Sequence, residues 1–219
     1  DSYLDTRLQA LNLGIYIGDL AYITLFNRER DAVNYFRAIY NLSDRLRIAS
    51  AIDPSLMIRF EKNVDDIDSL KVLIDESIND IMVALERENK AKYFVMISIG
   101  AYVESLYLAF NMIDSYSPQN EIVQRITDQK LVLENILAFS DDFKDDPNVR
   151  YALTILSPLK EVYERLDLVS DAGSVDRAED GKLLISGSSK RASISGEQYE
   201  ELREAVFTVR NTILRKNKN

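Results

Sequence analysis

Apolar residues recur at steps of three and four along most of the chain, which is the spacing of α-helices that bury one face. The first such run is Leu4, Leu8, Leu11, Ile15, Gly18, Tyr22 and Leu25, and a second is Phe60, Val64, Ile67, Ile74, Ile78, Ile81 and Leu85. The pattern predicts helices over residues 3–27, 30–48, 54–90, 92–115, 118–143 and 147–169. We therefore expect an all-α protein.

Each of the four prolines follows a residue that can cap a helix. Asp and Ser accept hydrogen bonds from the free amides of a first helical turn, and Pro suits the next position because it has no N–H to satisfy. We expect helix starts at Asp53-Pro54, Ser117-Pro118 and Asp146-Pro147. Apolar spacing continues on both sides of Pro158, so this proline is expected within a continuing helix.

The pattern changes after Ser170. Residues 171–182 are polar and acidic and are typical of a loop. The following segments, KLLIS (182–186) and RASIS (191–195), could pair as a short β-hairpin, and an irregular excursion over 170–196 is the alternative. The chain would then be one domain, residues 1–219.

Ser195 and Gln198 have the spacing of a capping box, in which each side chain bonds the other residue's main-chain amide. They predict a last helix that runs through Ile213. The whole molecule is thus expected to be a bundle of six or seven helices.

The stretch LNLGIYIGDLAYITLF, Leu11 to Phe26, is apolar enough to raise the question of a membrane span. It has 16 residues, fewer than the roughly 20 that a span needs. Asp19 in its middle would cost about 2.5–3.5 kcal/mol on insertion. We therefore predict a buried core helix and no transmembrane segment. Gly14 and Gly18 would let a neighbouring helix approach closely, so a larger side chain at either should destabilise the fold.

A second stretch, Ser98 to Phe110, resembles the first at an offset of 86 residues, at which Gly14 matches Gly100 and Tyr16 matches Tyr102. The match suggests a duplicated helical hairpin, and chance similarity between two apolar helices is equally open. Each stretch carries a polar–Tyr–polar stripe on one helical face.

These stripes have two interpretations. In one, the tyrosine hydroxyls only satisfy buried polar groups. In the other, Tyr16, Asp19, Tyr102 and Glu104 are ligand-binding residues in a cleft between helices 3–27 and 92–115, where bundles keep their ligand sites. Glu104 falls on a different helical face from Tyr102, so one pocket need not contain all four.

Composition limits the chemistry. The chain has 219 residues and a net charge of −9, from 36 acidic and 27 basic residues. An acidic surface repels phosphate backbones, so nucleic acid is not an expected partner. Without His or Cys, thiol nucleophiles, histidine catalysis and the usual zinc or di-iron sites are excluded. We expect no catalytic residues, no metal and no cofactor, and favour a protein that is not an enzyme.

The first helical pair resembles a tetratricopeptide repeat in Leu13-Gly14, Ala32 and Phe36. Gly14 and Ala32 are 18 residues apart, where that repeat needs about 12, and no further copies follow at its period of about 34. A tetratricopeptide-like scaffold is kept as a minor alternative.

Three segments, Leu11 to Tyr22, Tyr35 to Arg45 and Glu61 to Leu70, are similar to uncharacterised secreted lipoproteins of Bacteroidetes. The resemblance covers about the first two-thirds of the chain. It implies an all-helical fold and a bacterial cell-envelope location, in the periplasm or as a lipoprotein anchored to the outer membrane, and carries no known activity. The chain begins at Asp1 rather than Met, so either a removed leader or a truncation is expected.

Two functions from different classes are consistent with these observations. The first is a non-enzymatic envelope protein that acts by binding a partner protein. The second is a bundle that binds a small molecule, or a carboxylate-based enzyme, with its site in the cleft described above. A cavity that reaches Asp19 or Glu104 would favour the second.

Overall fold

The computed structural model describes residues 5–25, 29–53, 55–63, 66–170, 175–177, 183–185 and 190–215. Within them the chain forms eight α-helices: α1 Thr6–Leu25, α2 Glu29–Arg45, α3 Leu56–Lys62, α4 Ile67–Arg87, α5 Ala91–Asn111, α6 Glu121–Ser140, α7 Pro147–Glu164 and α8 Gly196–Leu214. Single 3₁₀ turns lie at Ala49–Ala51 and Asp141–Phe143. The prediction of an all-α bundle is confirmed.

The centre of the bundle is the pair α1 and α5, which make the most extensive contact between any two described elements. A methyl group added to Gly14 would overlap the carbonyl oxygen of Ile97 and lie 2.6 Å from the amide nitrogen of Ala101. A methyl group added to Gly100 would likewise overlap the carbonyl oxygen of Leu11. The two main chains touch because both positions lack a side chain.

The two sides of this contact are related by the offset of 86 residues, which takes Gly14 to Gly100 and Leu11 to Ile97. Each glycine therefore lies against the carbonyl group that precedes the other glycine by three residues. The offset is not kept by the helices that follow. α2 begins at Glu29 and α6 at Glu121, which are 92 residues apart. The offset of 86 residues therefore holds for the two central helices and not for the starts of the helices that follow them.

The remaining helices pack around this pair. α8 contacts α5 and α7, α6 lies beside α5 and α7, and α2 covers α1. The main core is built mostly from α1, α5, α7 and α8. A small separate cluster of Ile23, Phe60 and Leu73 joins α1 to α3 and α4. Among the side chains that the structure describes, the half of the bundle around α3 and α4 thus has fewer buried residues than the half built from α1, α5, α7 and α8.

Capping residues set most helix starts. α7 begins at Pro147, and Asp146 accepts hydrogen bonds from the amides of Asn148 and Val149 at 2.8 and 3.3 Å, as expected. Pro158 lies inside α7, also as expected. The predicted capping box at α8 is present.

Two other starts differ from the prediction. α6 begins at Glu121 rather than beside Pro118, because Asn120 supplies the cap to the amide of Ile122. α3 begins at Leu56, after a turn in which Asp53 accepts a 2.8 Å hydrogen bond from the amide of Ser55. At α6 a polar residue nearer to the helix thus supplies the cap, whereas no side chain caps the start of α3.

The prediction of a single helix over residues 54–90 is wrong, because the helix is interrupted between the end of α3 and the start of α4. Asn63 ends α3, and its amide bonds the carbonyl of Phe60 at 3.1 Å. Asp66 then starts α4 by accepting hydrogen bonds from the amides of Asp68 and Ser69, both at 3.1 Å. Apolar spacing runs through this break, so periodicity alone did not reveal it.

The strands also differ from the prediction. β1 Asp167–Ser170 pairs antiparallel with β4 Lys190–Ser193, and β2 Val175–Arg177 pairs with β3 Leu183–Ile185. The predicted pairing of KLLIS with RASIS is therefore wrong, since each pairs with a segment before residue 178. The end of the predicted helix 147–169 becomes β1, and part of the predicted loop 171–182 becomes β2.

Among the described helices, α5 alone has the length and composition of a membrane span. Its mean hydropathy reaches 1.5, and half of that stretch is buried inside the bundle. Buried core helices share these properties, so the described helices contain no clear transmembrane segment.

Candidate functional site

A cluster of ionisable side chains, here called the carboxyl cluster, joins α1, α2, α5 and α8. Glu104 is fully buried and accepts two hydrogen bonds from Arg210, at 2.5 Å from Nε and 3.0 Å from Nη2. The Arg210 guanidinium stacks on the Tyr107 ring at 3.8 Å from its centroid. Asp19 hydrogen-bonds to Glu104 and to Tyr35. The guanidinium therefore bonds one carboxyl group directly, and interacts with the second only through its charge.

Burial and the second carboxyl group change the acidity of this pair. Burial, with a smaller contribution from the charge of Asp19, raises the pKa of Glu104 to about 7, against the lowering effect of the Arg210 hydrogen bonds. Burial also raises the pKa of Asp19, although hydrogen bonds from its neighbours and the charge of Arg210 oppose this. A hydrogen bond between two carboxyl groups needs a proton on one of them, so the pair holds a shared proton near neutral pH.

The structure separates the four residues that the sequence proposed as one site. Tyr102 is buried on the other side of α5, where its hydroxyl donates to the carbonyl of Gln129 at 3.2 Å and hydrogen-bonds with Tyr163. Burial is the main cause that raises the pKa of Tyr102 far above its usual value. Tyr16 packs edge-to-face on Tyr35 with ring centroids 5.8 Å apart. Only Asp19 and Glu104 meet.

The cleft expected between helices 3–27 and 92–115 is closed, because α1 and α5 meet main chain to main chain at Gly14 and Gly100. An open cavity of about 230 Å³ lies instead beside this pair, between it and α2, α3 and α4. Neither Asp19 nor Glu104 lines this cavity. The carboxyl cluster and the cavity are therefore separate features.

The lining of this apolar cavity is almost entirely aliphatic and aromatic. Its walls include Leu13 and Ile17 of α1, Phe36 and Ile39 of α2, Ile81 of α4 and Phe94 of α5. The only polar residue types in the lining, among the residues the structure describes, are Ser and Tyr. Tyr40 and Ile78 also line it and are 46% and 45% exposed, so they lie where the cavity meets solvent.

Ser43 is the buried polar residue in this lining. Its side chain is fully buried, and its hydroxyl has no hydrogen-bond partner within the described part of the chain. Ser77, a second serine in the lining, donates its hydroxyl to the carbonyl of Leu73 at 2.6 Å. Buried polar groups are nearly always paired, so the unpaired Ser43 hydroxyl is an exception. Because no part of Ser43 is exposed, even towards the cavity, this hydroxyl is not open to a molecule bound there.

Comparisons with known proteins add nothing to this geometry. No family model, curated protein or solved structure matches the chain. In the described residues, no group of three or more acidic side chains could hold a metal ion either.

Sequence reasoning missed Arg210 and the cavity. Arg210 is 106 residues from Glu104, and no local pattern links a cation in the last helix to that carboxyl group. For the cavity a partial signal existed, because Phe36, Ile39, Tyr40 and Ser43 are spaced to share one face of α2. The spacing predicts which side chains face inward, but not whether the space between them is filled.

Proposed function

We propose that this protein binds a small apolar molecule in the apolar cavity and does not catalyse a reaction on it. The observation that carries the proposal is an open cavity of about 230 Å³ with an aliphatic and aromatic lining. For scale, an enclosed apolar cavity of about 150 Å³ binds benzene. The proposed site is therefore this cavity beside α1 and α5, and not the cleft that the sequence predicted between those two helices.

The carboxyl cluster supports a binding function better than a carboxylate-based reaction. A general acid must reach its substrate, whereas Glu104 is fully buried and both of its oxygens are bonded to Arg210. We assign the cluster a structural role, in which it joins α8 to the central pair.

Thermal unfolding with and without apolar probes tests the proposal. Toluene, indole and 1-octanol would each be added to the purified protein. A ligand present at 100 times its dissociation constant stabilises the folded state by about 2.7 kcal/mol. For a chain of this size that corresponds to a rise in melting temperature of roughly 5–10 °C. We expect at least one probe to produce such a rise.

Two alanine variants provide the control. Ala21 lines the cavity and is exposed, so Ala21→Phe should obstruct the cavity where it meets solvent and reduce the rise. Ala138 is exposed on α6 and is not part of the lining, so Ala138→Phe should leave the rise unchanged. The absence of any rise with all three probes, or an equal rise in both variants, would contradict the proposal.

Association with a partner protein is the second candidate function, and the outer face of α4 favours it. Val72 and Val83 are 58% and 59% exposed and are eleven residues apart, which places them on the same side of a helix. We propose a second copy of this chain as the first partner to test. Sedimentation equilibrium should then show a dimer that a Val72→Glu, Val83→Glu double variant dissociates, and a monomer at all concentrations would argue against self-association.

The envelope location is proposed on the resemblance to secreted Bacteroidetes lipoproteins alone. Fractionation of the source cells, followed by immunodetection, should recover the protein in the periplasmic or outer-membrane fraction. Recovery with the cytoplasmic markers would remove this part of the proposal.

A further inference from the structure

The α5 wall of the apolar cavity carries a serine among apolar residues. Phe94, Ile97, Ser98 and Ala101 are the α5 residues that line the cavity. Residues three and four apart lie on the same face of a helix, so Phe94, Ser98 and Ala101 form one strip along this wall. The Ser98 side chain therefore lies on the cavity side of α5, with an apolar side chain before and after it.

The Ser98 hydroxyl is accessible and has no hydrogen-bond partner in the described part of the chain. Ser98 is partly exposed, and no hydrogen bond involves its side chain within the described residues. The fully buried side-chain atoms without a partner, in the same residues, are Asn12 Oδ1 and Ser43 Oγ. The unpaired Ser98 oxygen is not among them, so it keeps accessible surface where Ser43 has none.

Other hydroxyl groups on the helices have a partner in the main chain. Ser77, Thr127 and Ser140 each donate to the carbonyl four residues earlier, at 2.6, 2.8 and 2.6 Å. This bond is the common one for serine and threonine inside a helix. Ser98 does not donate to the carbonyl of Phe94 in this way, so both its proton and its oxygen are open to a bound molecule.

The lining allows one class of polar group beside Ser98. No Asp, Glu, Lys or Arg lines the cavity within the described residues, and a buried charge without a partner is far more costly than a buried neutral group. A serine hydroxyl both donates and accepts, so a hydroxyl, a carbonyl oxygen or a ring N–H can pair with it. A hydrocarbon over Ser98 would displace water and leave the hydroxyl unpaired, which is unfavourable.

This inference rests on the apolar cavity being a ligand site, as proposed above. We propose that its ligand is a largely apolar molecule with one uncharged polar group, and that this group hydrogen-bonds with the Ser98 hydroxyl. Ser98 is then the residue that selects the ligand by its polar group, and the aliphatic and aromatic lining binds the rest of the molecule.

Titration of the wild-type protein with three probes, followed by the chemical shifts of its amides, tests the ligand class. Toluene, phenol and benzoate share a benzene ring and carry a methyl group, a neutral hydroxyl and a charged carboxylate at neutral pH. In a wholly apolar cavity phenol would bind more weakly than toluene, because its hydroxyl would lose its bonds with water. We expect phenol to bind at least as tightly as toluene, and benzoate at least about tenfold more weakly than phenol.

Three variants locate the hydrogen bond. Ser98→Ala should weaken phenol binding about three- to tenfold, which corresponds to one net hydrogen bond, and leave toluene within about twofold. Ser105→Ala is the matched control, because Ser105 is exposed on α5, lies outside the lining and donates to the carbonyl of Tyr102 at 2.8 Å. Tyr40→Phe removes the hydroxyl where the cavity meets solvent. Both should keep the wild-type ratio of phenol to toluene affinity, and circular dichroism melting checks that all three fold.

The outcomes separate this inference from the function on which it rests. If toluene binds but phenol binds more weakly to the wild type, or benzoate binds as tightly as phenol, the assigned ligand class is overturned and the cavity remains a ligand site. If Tyr40→Phe changes the ratio and Ser98→Ala does not, or if neither changes it, the assignment to Ser98 is overturned. If no probe binds, the proposed function fails, and this inference fails with it.

Discussion

Gly14 and Gly100 lie where any side chain would meet main-chain atoms of the opposite helix. Gly18 is different, because a methyl group there would lie 2.9 Å from the side-chain carbon Cβ of Glu104. Cβ of Glu104 is fixed to its main chain, so a methyl group at Gly18 also requires α1 and α5 to shift. The shift is smaller than at Gly14, where the added methyl group would overlap a main-chain oxygen. The three glycines should therefore differ in how well they tolerate substitution.

We predict that Gly14→Ala destabilises the protein. Overpacking costs about 1–3 kcal/mol, which outweighs the roughly 0.5–1 kcal/mol that alanine gains in helix propensity. Gly18→Ala should cost less than Gly14→Ala. The free energy of unfolding in urea measures both.

Gly196→Ala serves as the control. A methyl group at Gly196 would lie 3.4 Å from the Tyr116 ring, close to ordinary contact, so this variant should be as stable as the parent or slightly more so. If Gly14→Ala proved as stable as Gly196→Ala, the result would contradict the main-chain contact between α1 and α5 at Gly14.

The shared proton of the carboxyl cluster predicts a pH dependence of stability. The pKa of Glu104 is about 7 in the folded protein, against a model value of 4.5. Between these values the folded state binds more protons at this group than the unfolded state does, so the contribution of Glu104 to stability is fully present below about pH 4.5 and is lost as pH rises through 7. We expect a loss of roughly 1–3 kcal/mol between pH 5 and pH 8, measured by urea unfolding.

Substitution at Glu104 identifies the group responsible. Glu104→Gln carries no titrating carboxyl, so most of this pH dependence should disappear. Glu134 is exposed on α6, and Glu134→Gln should keep the wild-type slope. The same slope in all three proteins would assign the effect to other groups.

At the scale of elements, Asp146 both caps α7 and ties it to α5. Its carboxylate accepts the two α7 amides and also binds Lys92 of α5 at 2.8 Å. Asp146→Ala should cost about 1–2 kcal/mol, most of it from the lost cap. Asp146→Asn keeps an acceptor for the amides and should cost less. Chemical denaturation of both variants measures the order.

The neighbouring residue supplies the control for this prediction. Asp145 is exposed and no cap depends on it, so Asp145→Ala should change stability by no more than about 0.5 kcal/mol. If Asp146→Ala were equally mild, α7 would not depend on this cap.

Helical periodicity and capping residues predicted the existence of nearly every helix, because both depend on neighbours within one or two turns. The break at Asn63–Asp66 was missed because apolar spacing runs across it, although both end residues are good caps. The pairing of β1 with β4 was missed because the paired residues are 20 to 26 positions apart in the chain. The carboxyl cluster and the apolar cavity were only partly predictable, because they too depend on residues that are far apart in the sequence. Asp19 and Glu104 were recognised, but Arg210 and the empty space beside α1 depend on long-range packing.

At the scale of the whole molecule, the two halves of the bundle should differ in local stability. α5 contains ten buried residues, whereas of the α4 side chains described only Leu73 and Leu85 are buried. Segments with few buried contacts open at lower free energy. We predict that amides of α3 and α4 exchange hydrogen faster than those of α5 and α8.

Hydrogen exchange followed by mass spectrometry would measure this difference, and bound 1-octanol should slow exchange in α4 because α4 lines the cavity. Amides of α8, which lies outside the lining, serve as the internal reference. Equal protection of α4 and α5 in the free protein would contradict the prediction.

The pairing of α1 with α5 has a consequence for synthesis in the cell. The two glycines in contact are 86 residues apart, so α1 leaves the ribosome well before its main partner exists. At about 5–20 residues per second the delay is roughly 4–17 s. During that time the face of α1 that packs against α5, which includes Leu11 and Gly14, lacks its partner. A nascent chain of this kind is open to chaperones and to aggregation until α5 emerges.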